Sequence, residues 1–497
     1  MKKVLVTGAA LMLAGGIATT AAVAADEPGV KITGDARIRL YYVDSNFRNF
    51  NNSPAYYTDA SGHRQKISSQ TNMDSRVRVV MKGTTAGGTY AVVRMRIGES
   101  LMGDVDGDYS NNNTFRNSNI AADMAYVGIP FTQNFTLELG RYRSTYGPLP
   151  GGFNFFYDDV NLTGARGIIK FGNVEINPFA EWMVEAQNPD GGATVTAGAT
   201  AGSGVGTNLA ASADDTKQDN DEIRFGVHAK MQVNKDWLVG GMVGYQMDNR
   251  NENTLLLAPT VGAGKAFEPN KGFFGSLYVN GKAGNFGLVG EVAVTAANLN
   301  NFNSWEQDLV TADRIGSKDT GFGGFIFPNY QIDKWNIGLN LGFTTGGFQP
   351  DGAFGDGVLL GTIDNSVIST VRIGDYGDWL WAGLVVSYQF TDALKLTGNF
   401  FYANIDAWDS VGPDGDGPNT GFRSLGKAIS VNGFSKDPID ITGAWTLSGM
   451  LQWTVSKGTD IFFSAGYLKP SIDNPYNVLG LDDKGVFAAA TRVEIKF

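Results

Sequence analysis

Apolar and polar residues alternate one by one through most of this chain. Val30, Ile32, Ala36, Ile38, Leu40 and Tyr42 are separated by Lys31, Thr33, Asp35, Arg37, Arg39 and Tyr41. A period of two marks a strand with one greasy face and one polar face. The pattern returns at Val77, Val79 and Met81 against Arg76, Arg78 and Lys82, and at Val93, Met95 and Ile97 against Arg94 and Arg96. It returns without a break at Trp335, Ile337, Leu339, Leu341 and Phe343, and the chain ends on it at Val493, Ile495 and Phe497. Counting such runs predicts about eighteen strands, or sixteen if the weak runs 164–171 and 321–331 are not strands.

One stretch organises the rest. Phe135, Leu137 and Leu139 alternate with Thr136, Glu138 and Gly140, and Ala165, Gly167, Ile169 and Phe171 resume the alternation. Between them lies a loop, 144–163, dense in Gly, Pro and aromatics: Tyr146, Pro148, Pro150, Phe153, Phe155, Phe156 and Tyr157. A loop with this much aromatic mass needs something to fold against. The mouth of a barrel would provide it.

The connections alternate in length. Short turns such as 234–236, Gly284-Asn285 and Lys457-Gly458 alternate with long polar segments such as 44–70, 186–221, 345–378 and 403–443. Tight turns at one end and long loops at the other are the mark of an outer-membrane barrel. Aromatics recur at strand ends, among them Tyr42, Trp182, Trp335, Phe343, Tyr388, Phe390, Trp445, Trp453 and Phe497, as expected of two girdles at the lipid boundary. Lipid offers no hydrogen-bond partner, so a spanning sheet must close on itself. Its lipid face must also avoid charge, and nearly every charge within a run falls on the other parity. The expectation is an all-β transmembrane antiparallel barrel over 25–497 as a single domain, with an inward-folded third loop at 144–163.

Composition narrows this picture. Lys2-Lys3, an apolar stretch over 4–17 and Ala22-Val23-Ala24 read as a cleaved secretory signal at 1–24. The chain has no cysteine, which excludes disulfides, c-type haem attachment and thiolate metal sites. With 39 basic residues, two of them in the signal, against 50 acidic ones, a nucleic-acid partner is not expected. Asp104, Asp106 and Asp108 begin like a calcium loop, but Tyr109 stands where the turn glycine belongs and Phe115 where the closing glutamate belongs. No metal and no cofactor is expected. Glycine-rich 202–206 and 412–417 read as external loop tips.

With these residues in view, the chain resembles the Gram-negative outer-membrane porins. The resemblance is sharpest at 75–82 (SRVRVVMK), 125–129 (AYVGI) and 137–141 (LELGR), which are similar to early strands of the general trimeric porins. Eighteen strands, rather than the sixteen usual in general porins, would suit a substrate-preferring relative. The terminal Phe497 is similar to the signal read by the outer-membrane assembly machinery. The resemblance implies a passive, water-filled channel for ions and small hydrophilic solutes. It implies a homotrimer in a bilayer with lipopolysaccharide, located in the outer membrane of a Gram-negative bacterium. It also implies a constriction, with the third loop supplying Tyr157, Asp158 and Asp159 and a facing basic wall of Arg37, Arg39, Arg76, Arg78, Arg94, Arg96 and Arg141. Charges opposed in this way would set up a transverse field across the pore. Arg141 fits the family's glycine-arginine motif but shares parity with Leu137 and Leu139, so a pore position requires a bulge at Gly140.

A barrel enzyme needs a base beside a nucleophile, and the only histidines are His63 in the first loop and His228 on lumen parity, neither flanked by a catalytic motif. His228 reads as a polar wall residue. The alternatives to a channel are a plugged structural or adhesive surface barrel and a non-conducting scaffold around a partner protein. Ion conductance separates these from an open pore.

Overall fold

The computed structural model describes residues 28–44, 56–58, 64–66, 69–102, 120–149, 154–158, 160–184, 222–248, 271–296, 299, 320–346, 348–351, 354, 373–374, 377–407, 440–473 and 485–497. The leader expected over 1–24, His63, the acids at 104–108, Asp159 and the glycine-rich 202–206 and 412–417 lie outside the described residues.

Eighteen strands form one closed antiparallel ring. In chain order they are β1 (Gly29–Val43), β4 (Gln70–Thr84), β5 (Tyr90–Met102), β6 (Ile120–Thr132), β7 (Phe135–Ser144), β8 (Val160–Phe171), β9 (Val174–Val184), β10 (Glu222–Asn234) and β11 (Trp237–Asp248). Then come β12 (Gly272–Ala283), β13 (Phe286–Thr295), β14 (Gly321–Ile332), β15 (Trp335–Thr345), β16 (Gly377–Thr391), β17 (Leu394–Ala407), β18 (Asp440–Ser456), β19 (Thr459–Asp473) and β20 (Val486–Lys496). Two short strands, β2 (Tyr56–Thr58) and β3 (Arg64–Lys66), pair apart from the ring within the first long connection. The expected count of eighteen is met, and both weak runs are full strands. They read weakly because glycine and proline interrupt their alternation. Pro328 brings no N–H to the β14–β15 ladder, which skips that position.

The two parities of each strand part as lipid requires. Ile38, Leu40, Val243, Leu277, Ile326, Leu339, Leu380, Leu447 and Phe463 are exposed on the outer face, while Arg39, Ser276, Glu291, Asn399 and Thr446 are buried on the inner one. Aromatics cluster at both rims. At the short-turn end Trp335 meets Tyr388 at 4.5 Å and Tyr388 meets Phe390 at 4.8 Å. At the long-connection end Tyr245 meets Phe273 at 4.8 Å and Trp445 meets Tyr467 at 5.4 Å. The tyrosine and tryptophan rings among them have one apolar end and one polar end, at the depth where each is satisfied.

The ring closes between β1 and β20, with Asp35 opposite Lys496 and Val43 opposite Ala488. The last bonds of the seam run from Gly34 N–H to the Phe497 carbonyl at 2.8 Å and from Phe497 N–H to the Gly34 carbonyl at 3.0 Å. The Phe497 ring lies over Gly34, where a Cβ would stand 2.7 Å from the ring and still closer to the Arg78 carbonyl. An aromatic placed across a glycine shields the bare backbone from hydrocarbon. The same device recurs at Gly281 under Trp237. It accounts for part of a glycine content of 66 residues.

Gly34→Val is expected to force the seam apart and cost about 1–3 kcal/mol, the usual range for overpacking. A lower urea midpoint for the refolded barrel, together with a smaller folded fraction by heat-modifiable gel mobility, would register it. An unchanged midpoint would show that the seam tolerates a side chain there.

Candidate functional site

The third long connection leaves the wall after Ser144 and rejoins it at Val160. Its described residues fold inward, as the aromatic content predicts: Tyr146, Phe155, Phe156 and Tyr157 are all at most 1% exposed. Tyr146 N–H bonds the Tyr157 carbonyl at 3.1 Å, tying the two ends of the loop together. Farther in, Leu149 N–H donates to Asn154 Oδ1 at 2.7 Å and Asn154 Nδ2 donates back to the Leu149 carbonyl at 2.9 Å.

A single carboxylate gathers the loop to the wall. Glu181 on β9 has no exposed surface and accepts four hydroxyl bonds. They come from Tyr142 at 3.2 Å, Ser144 at 2.5 Å, Tyr146 at 3.3 Å and Tyr157 at 2.6 Å. Burial first, and the Glu181 charge second, push the Tyr146 and Tyr157 hydroxyls well above the usual tyrosine range. Both therefore remain donors at any physiological pH. On the far side of the loop the Phe155 N–H donates to Glu291 Oε2 at 3.1 Å, and Asn280 Nδ2 donates to the Pro148 carbonyl at 2.9 Å.

The loop packs against an aromatic half of the lumen. Phe155 lies 5.3 Å from Phe348, 5.0 Å from Phe354 and 5.6 Å from Phe325, and Phe156 lies 6.2 Å from Phe274. Phe348 and Phe354 belong to another long connection, between β15 and β16, and Asp351 N–H bonds the Phe155 carbonyl at 2.8 Å. A second inward segment was not expected from the sequence. Its signal was the same one the third loop gave, phenylalanines set among glycines over 346–355.

His228 is also part of this support. Asn177 Nδ2 lies 3.2 Å from its Nδ1 and also donates to Glu175 at 3.0 Å, so Nδ1 accepts. Nε2–H then donates to the Tyr278 hydroxyl at 2.8 Å. The ring packs 4.9 Å from Tyr146. This imidazole is held between an amide and a phenol and serves the loop.

The remaining wall carries charge. On β1, β4 and β5 the residues Arg37, Arg39, Arg76, Arg78, Arg94 and Arg96 share the inner parity, on neighbouring strands in register. Arg39 grips Asp74 through Nε at 3.0 Å and Nη2 at 2.5 Å, and Arg94 grips Asp123 at 2.8 and 2.9 Å. Arg78 reaches Asp35 at 2.8 Å and Arg76 reaches the same carboxylate at 3.4 Å. Arg94 also donates to Asn161 at 3.2 Å, just after the third loop rejoins the wall. Arg96 is exposed on the same parity.

Three expected roles are corrected. Arg141 lies exposed on the outer face with Leu139. Gly140 does adopt φ 120°, yet the register to β6 and to β8 runs through it unbroken, so no residue is gained and the parity does not flip. Arg141 Nε instead bonds the Asp123 carbonyl at 3.2 Å. Asp158 is buried and spends its carboxylate inside the loop, accepting from Asn154 N–H at 3.2 Å and Asn154 Nδ2 at 3.3 Å. Among the described residues, the acids beside the arginines are Asp35, Asp74, Asp123 and Glu494 of the wall itself, not loop acids across the pore. Tyr157 is a latch to Glu181 rather than a pore-facing group, and Phe497 stands at the seam.

The sequence profile described as Gram-negative porin matches residues 9–409. No curated protein matches the chain. Among solved structures it is similar to OpdK of Pseudomonas aeruginosa, at 10% identity and TM-score 0.48, over 94% of this chain and 99% of that one. It is similar to a BenF-like porin of Pseudomonas fluorescens Pf-5 at 9% identity and TM-score 0.49, over 94% and 98%. OpdQ of P. aeruginosa gives 9% identity and TM-score 0.46, over 94% and 98%. A profile matched over most of the strands, on a closed eighteen-stranded ring with a loop folded inside, places the chain in the Gram-negative porin family, the outer-membrane channels for small solutes.

Proposed function

We propose that this porin is a passive diffusion pore for small hydrophilic solutes and ions, with a preference for anions, working as a homotrimer without catalytic step or cofactor. One observation carries the charge preference. Six inner-parity arginines on three adjacent strands stand beside four carboxylates, Asp35, Asp74, Asp123 and Glu494. A surplus of fixed positive charge along one side of a narrow aqueous path concentrates anions there and repels cations. Size selection falls to the third loop, which Glu181 and Glu291 hold against the aromatic half of the lumen.

Arg37→Gln, Arg76→Gln and Arg96→Gln together test the charge role. Arg39 and Arg94 are left in place, because removing either would strand Asp74 or Asp123 as a buried unpaired acid at a cost of about 3–5 kcal/mol. In planar bilayers under a salt gradient, the wild type is expected to show large steps closing in threes and an anion-side reversal potential. The triple variant should shift that potential toward cations with the barrel intact. An unmoved potential would take these arginines out of the selective path, and a silent wild type would mean a plugged or scaffolding barrel.

Glu181→Leu tests the latch. It leaves four hydroxyls without their acceptor, each costing about 1–3 kcal/mol where buried. Noisier and larger conductance is expected, with faster liposome swelling in sugars that the wild type excludes. A variant with wild-type size cut-off would show that the aromatic packing alone holds the loop.

A further inference from the structure

The lumen does not account for one feature of the outer face. Below the external aromatic rim, across β13 to β17, the surface sinks into an apolar groove of about 600 Å³. Gly324 and Ala382 form its floor, since neither carries bulk on the outer parity, while Phe343 and Tyr402 flank it and Ile326 and Leu341 close its lower end. Asn404, on the outer parity of β17 three residues before the strand's external end, carries an amide at its upper edge. The groove is continuous with the membrane-facing band: Val292, Leu384, Phe400 and Leu447 around it are all more than a third exposed and apolar.

We infer that this groove seats one acyl chain of an outer-leaflet membrane lipid, with Asn404 bonding the carbonyl that links the chain to its headgroup. Three points favour this occupant. The medium at this depth is hydrocarbon, so what reaches the floor comes from the bilayer. A cleft floored by a glycine and an alanine gives an acyl chain more van der Waals contact than the flat outer faces of neighbouring strands. The single amide stands at the external edge, where the chain's polar linkage would lie. The surface of a barrel is otherwise solvated by lipid without preference, so a fixed chain is a binding site, small in energy and definite in place.

The test uses the full barrel refolded in vesicles containing a phosphatidylethanolamine with a diazirine on one acyl chain, with labelled peptides mapped after illumination. Label should concentrate in 322–326, 341–343, 380–382 and 402–404, above the level on the outer face of β5 to β7. Ala382→Trp fills the floor and should cut that label by more than half, with bilayer conductance unchanged. Asn404→Leu acts at the rim and should lower it as well, which keeps the test in hand if Ala382→Trp does not fold. Label spread evenly round the barrel, label indifferent to both variants, or groove peptides crosslinked to a second copy of the chain would overturn the inference.

Discussion

Every backbone N–H and C=O in the hydrocarbon must find its partner within the protein, and the rest of the molecule depends on that demand. It is met by a ring whose last two bonds join Gly34 and Phe497, so the whole sheet hangs on a seam formed by residues at opposite ends of the chain. The seam also explains why the outer face can be so plain. With hydrogen bonding complete, the outer side chains need only be apolar, and glycines can be covered by a ring from the next strand. The outer face can therefore vary in shape without disturbing the pore.

Inside, the barrel divides its circumference by chemistry. From β9 round to β17 the upper lumen is aromatic and serves as ground for the third loop and the segment around Phe348 to Phe354. From β1 to β6 it carries the arginines and their aspartates, with Tyr41, Val43, Val92 and Met124 buried among them. An aromatic filling would be inert toward ions, and a fully charged lumen would give the loop nothing to pack on. Joining the two halves lets one strip of wall be selective while the other fixes how much room the strip has. The loop can be held rigidly because its main anchor, Glu181, is a buried carboxylate with four donors. Such anchors are costly to leave unsatisfied and so strongly favour a single geometry.

The fold was legible because a lipid face and a wet face leave a period of two in the sequence. The rims were legible because aromatics mark them. Legibility failed where a residue's role depends on a partner distant in sequence. Asp158 looks like a pore acid until Asn154, four residues earlier, claims both its oxygens. Arg141 follows a familiar glycine, but whether that glycine adds a residue to the strand depends on the register of two neighbouring strands. Glu181 gave no signal at all, since its meaning lies in four hydroxyls that only the folded loop brings together. The run over 321–331 looked weak for the same reason that it is deep on its outer side: its glycines have no side chains to alternate.

The four hydroxyls on Glu181 have a consequence for how the chain tolerates change. Tyr142, Ser144, Tyr146 and Tyr157 share one acceptor, so any one of them is partly redundant, and drift at a single hydroxyl is buffered by the other three. The acceptor has no such backup. Genetic variation around this hub should accordingly be asymmetric, permissive at each donor taken singly, sharply epistatic between donors, and nearly closed at the carboxylate. A pore built this way can retune its aperture in small heritable steps without passing through an unlatched intermediate.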